Sequence, residues 1–159
     1  MGDIIETKIS VDVKGIVGKI EYLVDEKLMI EVHKLFAKMC DPYVPKDLGN
    51  LSQTLNITPE YVQYTQPYAH YMYTGDVYGP NFPIKDDSGN ITGWRSPPGI
   101  GTKYPMRDST GKTRQLEYNL EKHKLASKEW NKAMMTAEGE KFIKQVKDLM
   151  VRRAKELYG

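Results

Sequence analysis

Apolar residues recur along this chain at two spacings. Residues Ile5 to Val13 alternate, with Ile9, Val11 and Val13 on one side and Lys8, Ser10 and Asp12 on the other. That is the period of a half-buried strand, and Gly15 ends it. From Val17 to Met39 the interval changes to three and four, so that Ile20, Val24, Leu28, Val32, Leu35, Phe36 and Met39 share one face of a helix of ~6 turns. Lys19, Glu26, Glu31, Lys34 and Lys38 fall mainly off that face. Pro42 and Pro45 stop the helix, because proline removes a backbone donor and its ring clashes with the preceding turn. The stripe is expected to lie across a sheet.

Residues 47–64 supply most of that sheet. Asp47 to Leu51 reads as a tight turn with Asp47 as its cap. Thr54 to Thr58 and Tyr61 to Tyr64 alternate, are rich in β-branched or aromatic residues, and are joined by Pro59-Glu60, which predicts a hairpin. With the N-terminal strand it makes a small, mostly antiparallel sheet. Pro67 to Tyr73 starts a short helix in which Tyr68, Tyr71 and Met72 share a face and Tyr73 points elsewhere.

Residues 74–124 lack periodicity and hold seven of the thirteen glycines, which argues against a long helix or broad sheet there. Within them Phe82-Pro83-Ile84-Lys85-Asp86-Asp87-Ser88-Gly89-Asn90 matches Tyr104-Pro105-Met106-Arg107-Asp108-Ser109-Thr110-Gly111-Lys112 at an offset of 22 residues, by class at most positions. Each copy reads as a hairpin, with an acidic and hydroxyl-bearing turn and a glycine for positive φ. Helix then returns from Leu120 to Met135, with Leu125 and Trp130, and again from a Thr136 cap, with Phe142, Ile143, Val146, Leu149, Met150 and Leu157 as its stripe. The expected fold class is α+β: a small mostly antiparallel sheet packed by a long N-terminal helix and a C-terminal helix. Residues 1–159 form one domain, with 74–124 as an extended hairpin-bearing insert or arm, flexible until assembly.

Composition narrows the function classes. Lys plus Arg number 23 against 21 acidic residues, and the net charge of +2 gives no strong long-range field for nucleic acid. Cys40 is the sole cysteine and reads as a small buried hydrophobe in a reducing compartment. No apolar run reaches the ~20 residues of a bilayer span, and Asp3 and Glu6 are unlike a signal peptide, so synthesis in the cytoplasm is expected. Eleven tyrosines against three phenylalanines suit boundaries where a ring is covered and its hydroxyl stays wet.

Candidate chemistry is sparse. His33, His70 and His123 have no second ligand at metal-site spacing. Pro98 to Lys103 lacks the spacing of a phosphate loop, and Asp86 and Asp87 lack the further oxygen ligands of a calcium loop. Ser52, Ser96 and Ser127 sit in no nucleophile elbow, and Cys40 has no base at a recognisable spacing. No catalytic residue, cofactor or metal is expected.

A helix, then Tyr43-Val44-Pro45-Lys46-Asp47-Leu48-Gly49-Asn50-Leu51, a hairpin, Pro67-Tyr68-Ala69-His70-Tyr71-Met72-Tyr73 and a late helix bearing Trp130 together resemble the minor capsid proteins of tailed bacteriophages, of the head–tail connector or tail-completion type. The resemblance spans about residues 15–150 and is strongest over 40–75. It implies a non-enzymatic virion subunit forming a ring around the DNA channel. Its partners would be copies of itself and neighbouring head-completion and tail proteins, with DNA passing through and read without sequence specificity, and with no membrane. A ring needs two different surfaces that meet. Tyr68, Tyr71, Tyr73, Phe82, Trp94, Tyr104 and Met106 are the candidate subunit-interface residues, Tyr73 foremost. The alternative is a nucleic-acid-binding module, with tyrosines stacking on bases and Lys103, Arg107, Lys112, Arg114, Lys122 and Lys124 holding phosphates.

Overall fold

The computed structural model describes residues 7–18, 24–46, 51–66, 68–79, 82–95 and 104–159. Ile20, the Asp47 turn, Pro67 and Lys103 lie outside them.

The fold is α+β. Strand β1 (Thr7–Ile9) and the hairpin β2 (Leu55–Ile57) and β3 (Val62–Tyr64) make an antiparallel sheet in the order β1-β3-β2, with Ile9 and Ile57 both opposite Val62. The predicted hairpin is therefore present, although its strands are three residues long. Thr58 shapes its turn by accepting the Tyr61 N–H at 3.1 Å.

The long N-terminal helix expected over 17–39 does not form. In its place are a short helix α1 (Val13–Val17) and α2 (Glu26–Cys40). Apolar periodicity continues back through Val24, but Asp25 is extended (φ −119°, ψ 175°) and its carboxylate accepts the Leu28 N–H at 2.9 Å, so the helix is capped there. Arg153 anchors the same carboxylate and holds its pKa below the usual range, helped by the Leu28 bond. At the other end Pro42 turns the chain into one 3-10 turn, Asp41–Tyr43.

Helix α2 buries Leu28, Val32, Phe36, Ala37 and Cys40. The short helix α3 (Ala69–Thr74) follows the hairpin. The longest element, α4 (Trp130–Tyr158), lies against α2, with Phe36 and Phe142 edge to face at 5.7 Å and Met134, Val146 and Met150 buried. The helix expected over 120–129 is absent: Leu120 and Leu125 lie in irregular chain, 49% and 54% exposed. Nor does Thr136 cap a second helix. Its hydroxyl bonds back to the Lys132 carbonyl at 2.9 Å inside α4, and the helix breaks two residues later at Glu138 (φ −133°, ψ 17°), whose carboxylate accepts the Tyr43 hydroxyl at 2.9 Å.

His33 is fully buried on α2. Its Nδ1 lies 2.9 Å from the Thr58 carbonyl and its Nε2 3.2 Å from the Val11 N–H, so Nδ1 donates, Nε2 accepts, and the ring is neutral. Burial lowers its pKa from 6.5, against the Thr58 bond and the charge of Glu60. Below about 6.5 the unfolded chain takes up a proton that the folded chain refuses, so this contribution is complete above that pH and is lost as pH falls through the folded-state value. Urea midpoints measured from pH 7.5 to 5 are expected to fall with acid, and less so in His33→Gln. An equal fall in the variant would assign the acid sensitivity to other groups.

Candidate interaction surface

The two halves of the internal repeat form the same turn. Asp86 Oδ1 accepts the N–H groups of Ser88 and Asn90 at 2.9 and 2.8 Å, and Asp108 Oδ1 accepts those of Thr110 and Lys112 at 2.8 and 3.1 Å. Gly89 and Gly111 take φ +84° and +83°, a conformation that disfavours any side chain. These bonds hold both carboxyls below the usual carboxylate range, the Asn90 backbone bond leading for Asp86 and the Thr110 hydroxyl for Asp108. As aspartates committed to turn geometry, both serve as local anchors.

Beyond the turns the copies diverge. Strands β5 (Phe82–Lys85) and β6 (Ile91–Arg95) pair antiparallel with a bulge at Ile84/Lys85, and every residue from 83 to 92 is exposed. Ile84 shares a face with Gly93 and Ile91 with Lys85, which leaves one isoleucine uncovered on each face, 44% and 55% exposed. A lone two-stranded ribbon in water is marginal by itself. The second copy is attached: β7 (Tyr104–Pro105) pairs with β4 (Tyr78–Gly79), Met106 N–H bonds to Val77 O at 2.7 Å, and Val77 N–H bonds to Arg114 O at 2.9 Å.

From there the chain straps back over the core. Leu116 N–H reaches Gly75 O at 2.7 Å, the Tyr118 hydroxyl reaches Met72 O at 2.7 Å, and His123 Nδ1 lies 2.7 Å from Val44 O. Ser127 and Glu129 N–H groups bond to Tyr43 O and Tyr73 O. Burial pushes the Tyr118 phenol up to about 12. Gly75 ends α3 at φ +75°, and a Cβ there would come within 2.9 Å of Lys128, so only glycine admits the strap.

Among the expected interface residues, the geometry corrects the orientation of Tyr73. Its ring meets Trp130 edge-on, 5.0 Å away at 87°, and its hydroxyl donates to Asn131 at 2.8 Å, so it packs on the core beside Tyr68 and Met72. Burial raises its pKa. Tyr71 belongs instead to a half-exposed ring cluster with Tyr78 at 4.7 Å and His70 at 5.8 Å. Met106 is half-buried in the attached copy. Phe82, Trp94 and Tyr104 lie on strand backbones, and the side chains of all three are outside the described part. Ile84 and Ile91 were not among the expected interface residues; the repeat is the signal for them, since it places a strand on each side of the Asp86 turn.

The basic residues Arg107, Lys112, Arg114, Lys122 and Lys124 are all exposed, and Arg107 donates to Gly111 O of its own turn at 2.7 Å. Among the described residues no group of three or more His, Cys, Asp or Glu gathers to hold a metal, and no helix is long and apolar enough to cross a membrane. Open grooves run between α2 and α4, about 730 Å³ over Leu35 and Leu149, and beside β1, about 400 Å³ over Ile9, Phe36 and Phe142. Ser10 and Asp12 both line the second, but the Ser10 hydroxyl donates to the Glu60 carbonyl at 2.6 Å and the Asp12 carboxylate accepts the Gly15 N–H at 2.9 Å. Compared with protein-family models, with curated proteins and with solved structures, the chain matches none.

Proposed function

We propose that this chain is a non-enzymatic structural subunit of a tailed-phage virion, made in the host cytoplasm, that forms a ring at the head–tail connector around the DNA channel. The observation that carries the reading is the β5–β6 ribbon, exposed over residues 83–92 with an isoleucine open on each face, standing on a core already closed by its own helices. Such a ribbon gains apolar partners when another subunit supplies them. The family-like order of the Tyr43 to Leu51 segment, hairpin, aromatic helix and Trp130 helix supports the same reading. Native mass measurement of the purified chain, alone and with its head and tail neighbours, is expected to give a ring-sized species. A chain that stays monomeric in both settings removes the proposal.

The second reading, a nucleic-acid module, rests on the exposed cations between Arg107 and Lys124. It requires the isolated monomer to bind DNA with an affinity that falls steeply with salt.

A further inference from the structure

Resting on that assembly reading, we infer that the β5–β6 ribbon of one copy docks along the outer face of α4 in a second copy, its acidic turn against a lysine stripe. Lys144, Lys147, Val151, Lys155 and Tyr158 follow one another at intervals of three and four, opposite the buried Phe142, Val146 and Met150, and all five are exposed. They run ~21 Å along the helix. Val151 and Tyr158 are 54% and 74% exposed, large apolar side chains with no cover. Among the described residues none of the three lysines makes an ion pair. Of the acids in this stretch, Glu156 pairs with Arg153 and Lys27, while Asp148 is exposed one turn after Lys144, at the edge of the stripe toward the α2 groove. Glu140, also exposed, stands one turn before Lys144 on the same face, at the start of the stripe, so lysines outnumber acids along it and the acidic tip is drawn to the Lys144 to Lys155 part.

The ribbon is the complement. Its strands are ~13 Å long, its tip presents Asp86 and Asp87 against the single cation Lys85, and Ile84 and Ile91 stand open next to the tip. Both surfaces therefore combine uncovered apolar side chains with charge, of opposite sign. The twin turn has the same geometry but carries Arg107, Lys112 and Arg114 and is tied to β4, so it fits neither the charge nor the reach. Because ribbon and stripe are different surfaces of the chain, the contact is head-to-tail, the type that closes rings.

Charge reversal tests this on the full chain. Among the described residues Asp87 makes no hydrogen bond in its turn and Lys147 makes no ion pair, so Asp87→Lys and Lys147→Glu should leave the urea midpoint unchanged. At ~0.1 M salt each variant alone is expected to weaken self-association about tenfold or more, because like charges then face each other. An equimolar mixture restores it, since each ribbon then finds an opposite charge on the other variant's helix. Association of the unaltered chain that survives both reversals, or a mixture that stays as weak as its components, overturns this contact while leaving the ring reading intact. An unaltered chain that is monomeric at every concentration, both alone and with its head and tail neighbours, overturns both.

Discussion

Trp130→Ala is expected to cost about 3–5 kcal/mol, the range for removing a large buried aromatic ring. Trp130 is fully buried at the first turn of α4, with Tyr64 edge-on at 5.0 Å and Tyr73 edge-on at 5.0 Å. Its ring thus joins the sheet through β3, the aromatic helix α3 and the long helix α4, and a cavity there cannot close by moving one side chain. Each of the two edge-to-face pairs adds about 0.5–1.5 kcal/mol beyond area burial. Urea unfolding followed by far-ultraviolet circular dichroism measures the loss. A change under ~1 kcal/mol would mean that the three elements do not meet at this ring.

Leu28→Ala is expected to cost about 2–5 kcal/mol. Leu28 is fully buried in the first turn of α2, and its N–H is the one the Asp25 cap receives, so its side chain and backbone fix the same end of the helix. The same urea series reads the result; a loss below ~0.5 kcal/mol, typical of a surface site, would put this face of α2 in solvent.

Leu28 is legible in the sequence because its evidence is local: period 3.6 names the buried face whatever covers it. The β2–β3 hairpin and the proline stop after Cys40 are local in the same way. Apolar spacing misplaces the start of α2 because it carries on through Val24, while the side chain that decides the boundary, Asp25, is polar. Tyr73 misleads for a different reason. Its partner atom on Asn131 is 58 residues away in sequence, and nothing near Tyr73 announces it. Leu120 and Leu125 show the converse, apolar residues that suggest a helix and lie exposed in a strap held by backbone bonds to distant elements. At the interaction surface the repeat makes the two Asx turns readable, but not that one copy is bound to β4 and the other left standing, since that depends on which residues Val77 and Gly79 meet.

Cys40 has a practical use. Fully enclosed at the end of α2, its thiol is pushed up to about 12 by burial, so almost no thiolate forms at neutral pH while the chain is folded. An alkylating reagent then reads opening: its rate of attachment at Cys40 follows how often the α2–α4 core comes apart, and a single added mass per chain counts the event. The folded protein also behaves as cysteine-free toward labels, so a dye placed on a new surface cysteine of the ribbon or of α4 reports from that position alone.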